Sequence, residues 1–461
     1  MIKIKKIAFG FLILTLLSCN YVTQMIVPPT ATPIPPTVTS TASPIPTLVP
    51  LVPAFIPPQC ASAPLATVPP DLAAQPTSEF ETNPEISKGD QLRIIREIGN
   101  IVEDVYVYPD FNGKDWSEIE SRYRQKIEAG LDTETFYIEM QNMISELQDE
   151  HSAFLSPLEV DESEAELRGD AEFVGIGIYG NFDLERGRIT VISTLPDSSA
   201  ESAGITAHDN ILMVDGLPVF DGERNRLRGP VCSVAVVTVQ SPGEEPREVI
   251  LIRHTIEGGV DIDARLIPTT DGSKIGYIFI PTFYDETIPP QIEEVLNEFG
   301  QLDGLILDVR MNGGGSSTVA DPILAFFASG RLGQFVSRAE SRTLNVDADP
   351  IQNSQTVPLV VMVSEDTVSY GEIFAGIMRD SRDAKITGET SLGNVEVLRR
   401  YNFEDGSQIW IASETFHPAH SDENWEETGI VPDVQAFADW DTFTFETDPS
   451  IAAAVNLLGH K

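Results

Sequence analysis

Residues 302–317, LDGLILDVRMNGGGSS, run an apolar segment into a charge and then into three consecutive glycines. An uninterrupted apolar stretch as short as LILDV reads as a strand buried on both faces of a parallel sheet. The loop that follows presents the N–H groups of Gly313, Gly314 and Gly315, which suit an anion or an oxyanion. It lacks the Gly-Lys-Ser/Thr ending of a nucleotide loop, and taken alone it is also an ordinary turn.

Strands and helices alternate on either side of this stretch: KIGYIFIPTF, PQIEEVLNEFG, a helix from Val319 to Ala328, TVPLVVMV, GEIFAGIMRD and AKITG. This is the sequence form of an α/β core with a largely parallel sheet, whose ligands sit at the C-terminal ends of the strands. Besides the glycine loop, one other strand end carries chemistry. There Val363 leads through Ser364-Glu365-Asp366-Thr367-Val368 to Ser369, Tyr370 and a helix. A serine between a strand and a helix N-terminus gains from the helix dipole and a neighbouring N–H. Ser369-x-x-Glu372 is also an ordinary capping box, and spacing alone favours the cap.

Two further regions precede the core. QLRIIREIGNIVEDVYVY puts Leu92, Ile95, Ile98 and Ile101 on one stripe, and with TETFYIEMQNMISEL it predicts a small helical domain over 85–170 that closes on the loop QDEHSAFLSP. Over 171–256 the period becomes that of short strands: FVGIGIYG, RITVISTL, DNILMVDGLPV, SVAVVTVQ and REVILIR. The core itself occupies 257–461.

The N-terminus reads as an address. Lys3, Lys5 and Lys6 precede an apolar run, Ile7 to Leu17, that is short for a membrane span and ends at Leu16-Leu17-Ser18-Cys19. This resembles a bacterial lipobox: a signal peptide over 1–18, lipidation of Cys19 and a chain exported and tethered to the cell membrane. From 19 to 84 Pro, Thr, Ser and Ala dominate, with fifteen of the 33 prolines between Pro28 and Pro76, which predicts an extended, disordered stalk. Cys60 and Cys232 are one pair at most and cannot frame a protein of this size, so their pairing stays open.

The 461 residues hold 30 Lys+Arg against 71 Asp+Glu, a net charge of -41. The three leading lysines are the only charged residues before Asp71, so the remainder of the chain is more acidic still. Such a surface repels phosphate backbones and excludes nucleic acid as a partner. At 41% hydrophobic the chain is not a disordered acidic coil.

The strand segment contains Pro196-Asp197-Ser198-Ser199-Ala200, Ala203-Gly204-Ile205, Asp209-Asn210-Ile211-Leu212 and Val214-Asp215-Gly216, a series that resembles a bacterial-protease PDZ domain. By that resemblance Val174, Gly175, Ile176 and Gly177 would capture a peptide's terminal carboxylate with their N–H groups; otherwise the glycines only permit a tight strand entry. The ordered set of helical region, PDZ-like segment, DVRMNGGGS, VSYGEIFAGIMRDSRDAKITGE and GIVPD resembles the C-terminal processing peptidases, or tail-specific proteases. The resemblance implies a mixed α/β fold with a ClpP/crotonase-like catalytic core, an inserted PDZ domain and a small N-terminal helical domain. It implies a serine endopeptidase acting on flexible polypeptide tails without a cofactor, with Ser369 as nucleophile, Asp380 eleven residues on, and an oxyanion hole from the N–H groups of Gly314 and Tyr370.

One departure stands out. The family's basic lysine falls on Asn394, and an amide cannot accept the serine proton. Lys385 sits within a strand in a different register. In the related tricorn-type branch a histidine of a D-x-H-[ST] motif serves the serine and a glutamate near the C-terminal GI.PD motif assists. Asp149-Glu150-His151-Ser152 and Trp425-Glu426-Glu427-Thr428 match those positions. The resemblance therefore implies Ser369, His151 and Glu426 as the catalytic set, with Glu427 the other choice for the third place. His417 and His420 are irregularly spaced for a metal, and no HExxH or CxxC is present, so no metal is expected. The loss of the lysine also leaves a rival reading, a non-catalytic peptide-binding lipoprotein.

Overall fold

The computed structural model describes residues 53, 55–62, 66–67, 83–149, 151–167, 173–221, 224–256 and 259–460. The signal peptide, Cys19 and most of the stalk lie outside the described residues, as does Glu150. Among the described residues no helix is long and apolar enough to cross a membrane.

The first helices are α1 (Lys88–Val105), α2 (Trp116–Ala129), α3 (Thr133–Ser145) and α4 (Pro157–Leu167). Ser87 caps α1 by accepting the Asp90 N–H, and α1 buries Ile94, Ile95, Ile98 and Val102. Leu92 and Ile101 are only half-buried. A strict three-residue spacing drifts around a helix of 3.6 residues per turn, so the buried face follows i, i+3/i+4 and i+7/i+8 instead. Helix α2 had no counterpart in the sequence reading; it is largely polar, and only Trp116, Ile119, Tyr123 and Ile127 mark its inner face.

This region does not close on itself. Its core continues into Phe154, Phe403, Ile409, Ile411 and Ala412, so the boundary expected at 170 cuts through one hydrophobic cluster. The strand β1 (Ala153–Leu155) is the reason. It pairs antiparallel with residues 408–410 far along the chain, and the Ser152 hydroxyl accepts the Ala412 N–H.

The middle region folds as β2 (Ile178–Asp183), β3 (Arg188–Thr194), a single helical turn α5 (Ser199–Ser202), β4 (Asn210–Val214), β5 (Ser233–Gln240) and β6 (Arg247–Ile252), around its own core of Ile189, Val191, Ile211, Val214, Val237 and Leu251. Part of the expected stalk is folded onto it. Cys60, buried, forms a disulfide with Cys232, and Ala66–Thr67 pair parallel with Ser233 and Val234. The extended chain foreseen for 19–84 is thus pinned at these residues, because a buried cystine and a strand pairing fix a proline-rich segment that has no core of its own.

The last region contributes β7 (Asp263–Ile267), β8 (Ile275–Phe279), α6 (Ile288–Phe299), β9 (Gly304–Asp308), α7 (Ser317–Phe327), β10 (Gly330–Ser337), β11 (Ser341–Val346), β12 (Leu359–Val363), α8 (Tyr370–Arg382), β13 (Lys385–Gly388), β14 (Val397–Asn402), β15 (Gln408–Pro418), α9 (Trp425–Thr428), β16 (Val434–Gln435) and α10 (Pro449–Leu457). A six-stranded sheet runs β7-β8-β9-β12-β13-β16 and is parallel from β8 onward. Its side chains alternate between two hydrophobic layers. Leu305, Leu307, Val361 and Val363 pack with α6, α7 and α8, whereas Ile306, Val360 and Met362 pack with Ile451, Ala454 and Val455 of α10. Burial on both faces is why LILDV and LVVMV are apolar at every position but one, Asp308, whose buried carboxylate is satisfied by the Tyr277 hydroxyl and Arg310. A second, antiparallel sheet runs β11-β10-β15-β1, with β14 also paired to β15.

Candidate active site

Strands β9 and β12 are parallel neighbours, so the glycine loop after one and the serine after the other emerge at the same sheet end. The segment before Ser369 is fastened to that loop. Thr367 Oγ1 donates to the Val309 carbonyl at 2.9 Å, and Val368 N–H donates to the Asn312 carbonyl at 3.0 Å.

Ser369 itself has φ 57° and ψ -123°. That is a costly conformation for a residue with a Cβ, of the kind that clusters at functional sites. It also separates the two readings of this serine. An N-cap has extended backbone and gives its hydroxyl to the helix. Here the Ser369 hydroxyl makes no capping bond, and the Glu372 N–H goes to the Ser369 backbone carbonyl at 3.0 Å. The Glu372 side chain reaches back to the helix start, its Oε2 accepting the Ser369 N–H at 3.2 Å.

Gly314 lies against this serine. A Cβ on Gly314 would fall 2.7 Å from Ser369 Cβ, 3.1 Å from its Oγ and 3.1 Å from Tyr370 N, and its φ of +95° is itself a glycine conformation. Gly314, the Ser369 side chain and the Tyr370 main-chain nitrogen are therefore packed together. In this conformation Gly314 N–H is donated to Asn312 Oδ1 at 2.9 Å. Tyr370 is fixed from its other end, where its hydroxyl donates to Asp321; burial, then that carboxylate, push the phenol far above its usual range.

Glu372, fully buried, welds the helix start to the loop that leaves β13. Its carboxylate accepts Ser391 Oγ at 2.6 Å, Gly393 N–H at 2.7 Å, Asn394 N–H at 2.8 Å and the Ser369 N–H already described. Burial raises its carboxyl above the ordinary range, and these bonds work against that rise. Ser369 N–H is also received by the Asn394 carbonyl at 2.9 Å, so residue 394 touches the serine backbone. The Asn394 side chain is 4% exposed and its Oδ1 is buried with no hydrogen-bond partner among the described residues.

The same loop meets His151. Its side chain is 9% exposed and its Nδ1 lies 3.6 Å from Glu396 Oε2, while Asp149 Oδ1 accepts the His151 and Ser152 N–H groups at 3.1 and 2.8 Å. Glu396 Oε1 accepts the Tyr108 hydroxyl at 2.7 Å. Glu426 is placed by Trp425, a fully buried ring that packs against Gly376 of α8, where a Cβ would be 2.5 Å from it. Glu426 Oε2 accepts the Val395 N–H at 2.7 Å. Burial, followed by the neighbouring Glu396 carboxyl, pushes the Glu426 carboxyl up to about 8.

Residues 274–436, which contain the glycine loop, Ser369, Glu372, Asn394, Glu396 and Glu426, match the model of peptidase family S41, and residues 93–149 match the tricorn protease C1 domain. The chain carries a peptidase S41 domain. Among curated proteins it is similar to the carboxyl-terminal-processing protease of Synechocystis sp. (27% identical over 387 residues, 80% of this chain and 87% of that one) and to the chloroplastic C-terminal processing peptidase of Tetradesmus obliquus (28% over 361 residues, 74% and 76%). In fold it is similar to a photosystem II D1 C-terminal processing protease, with a TM-score of 0.54 at 24% identity over 80% of this chain and 97% of that one. The mixed α/β architecture is thus that of the S41 proteases.

The other residues singled out from sequence fall as follows around the S41 domain. Lys385 pairs with Val360 and Gly388 with Val363, so the lysine starts β13 at the sheet end opposite the serine. Asp380 Oδ2 accepts the His420 N–H at 3.0 Å, a tie between α8 and the loop after β15. No cluster of three metal-ligating side chains occurs among the described residues, around His417 or elsewhere. Glu427 is exposed, with Glu426 beside it turned inward. Val174 and Gly175 pair with Thr255 and His254, and Gly177 has φ +84° with a Cβ position 2.1 Å from Ser198 Cβ. Close packing against α5 therefore requires Gly177 whether or not a peptide binds. Glu396 and Tyr108 were not foreseen from sequence; they are 288 residues apart, and no local pattern links them.

Proposed function

We propose that this protein is a membrane-tethered serine endopeptidase of the C-terminal processing type, cleaving flexible polypeptide tails through an acyl-enzyme on Ser369. The observation that carries it is the strained serine whose hydroxyl makes no capping bond and lies against Gly314, whose Cβ position is 3.1 Å from it. Ser369 Oγ attacks the scissile carbonyl and His151 takes its proton. The oxyanion is received by Tyr370 N–H and by Gly314 N–H, which exchanges its bond to Asn312 for the substrate. Collapse expels the amine with a proton from His151, and water, deprotonated by the same histidine, releases the acyl group. The PDZ-like region selects tail termini through residues 174–177, and a lipid on Cys19 holds the body at an extracytoplasmic membrane face.

Asn394 at the lysine position favours the second reading, a non-catalytic peptide binder. A fluorophosphonate probe with casein as substrate separates the two. Labelling and cleavage by wild type, lost in Ser369→Ala, support the enzyme; binding of tail peptides with neither activity supports the binder. Incorporation of a palmitate analogue that disappears in Cys19→Ser tests the tether.

A further inference from the structure

We propose that Glu396 is the positioning residue of His151. The inference rests on His151 being the base and reassigns the third place, for which the resemblance implied Glu426 or Glu427.

Three observations carry it. Glu396 Oε2 is the carboxylate oxygen found beside the His151 ring, 3.6 Å from Nδ1, with the two side chains 2% and 9% exposed. At 3.6 Å this is an ion-pair contact rather than a hydrogen bond, and a carboxylate on this side of the ring favours the proton on Nδ1 and leaves Nε2 to accept one from a hydroxyl. The opposite Glu396 oxygen is fixed by the Tyr108 hydroxyl at 2.7 Å, and the adjoining Val395 N–H is held by Glu426 Oε2 at 2.7 Å. Residues 395 and 396 belong to the loop whose residue 394 contacts the serine backbone, so Glu396 and Ser369 share one support.

When Ser369 Oγ–H passes its proton to Nε2, the imidazolium is balanced by the Glu396 carboxylate beside it, and Nδ1 keeps its own proton. Other titratable groups facing this pocket are Tyr106 and Tyr108 after α1, Asp149 beside His151 and Glu372 of α8.

The test is the proton titration of the His151 ring by NMR in wild type, Glu396→Gln and Glu426→Gln, each first shown to be folded by its melting curve. It needs no turnover, so it can fail separately from the protease reading. A carboxylate in contact raises a histidine by about 1–3 pH units. Glu396→Gln is expected to lower the His151 midpoint by about one unit or more, with a much smaller change in Glu426→Gln. In fluorophosphonate labelling, Glu396→Gln is expected to slow the reaction on the order of 10²-fold or more, with KM for a peptide unchanged and partial rescue in Glu396→Asp. Equal midpoints in wild type and Glu396→Gln, or a larger drop in Glu426→Gln than in Glu396→Gln, would overturn the proposal.

Discussion

Glu372→Ala removes the acceptor shared by the helix start and the loop at 391–394. Four donors lose it, but not equally. Ser369 N–H keeps the Asn394 carbonyl at 2.9 Å, and the Ser391 hydroxyl can rotate. Gly393 and Asn394 N–H, at 2.7 and 2.8 Å from the carboxylate, belong to the main chain and cannot turn away without moving the loop. Each buried donor left unpaired costs about 1–3 kcal/mol, so these two set a loss of about 2–6 kcal/mol. Relief from burying a carboxylate whose ionised form is disfavoured offsets part of this, leaving about 2–4 kcal/mol. The assay is urea denaturation followed by tryptophan fluorescence, where the midpoint should fall with m unchanged. Because the same loop carries Asn394 and Glu396, labelling of Ser369 should slow at least about tenfold in the variant under native conditions. A midpoint within about 0.5 kcal/mol of wild type, together with an unchanged labelling rate, would refute the role given to Glu372.

Gly314→Ala puts a methyl 2.7 Å from Ser369 Cβ at a φ of +95° that strains a side chain, so labelling of the folded variant should drop by about 10²–10³-fold and the melting temperature should fall; an unaltered rate would remove Gly314 from the site. Glu426, pushed up to about 8 from an ordinary 4.5, retains in the folded protein a proton that the unfolded chain has released over the interval between those values. Its contribution is therefore full at low pH and is lost as pH rises toward about 8, so wild-type melting temperature should fall across that range more steeply than that of Glu426→Gln; parallel curves would contradict the buried acid pair. Replacing both Cys60 and Cys232 by Ser opens a closure between residues 172 apart and should destabilise by about 2–4 kcal/mol, read by chemical denaturation, with labelling of Ser369 unaffected; loss of labelling in the folded variant would tie the N-terminal segment to the site.

How legible this was in the sequence varied with how local the signal is. The parallel sheet was plain because β9 and β12 are buried on both faces and are apolar apart from Asp308 at the end of β9. The antiparallel sheet was not, since β10, β11, β14 and β15 mix buried and exposed positions and their pairing is set by partners far along the chain. Helix α2 was hidden by its charge, its inner face being four residues among fourteen. At the site, Ser369, Gly314 and Tyr370 could be named because a strand end, a glycine run and a helix start are contiguous patterns. Whether the serine was a cap needed its φ and its hydrogen bonds. Glu396 escaped for a different reason: it matches no motif, and its importance comes from meeting a histidine and a tyrosine that arrive from the N-terminal helices through the pairing of β1 with β15.

The central claim is that Ser369 is a nucleophile served by His151. It is tested most directly by intact-mass and peptide mapping of the fluorophosphonate adduct in wild type, Ser369→Ala and His151→Ala. A single adduct on Ser369 in wild type, none in Ser369→Ala, and labelling slowed on the order of 10³-fold or more in His151→Ala is the predicted result. An adduct on another residue, or His151→Ala labelling at the wild-type rate, would contradict the account.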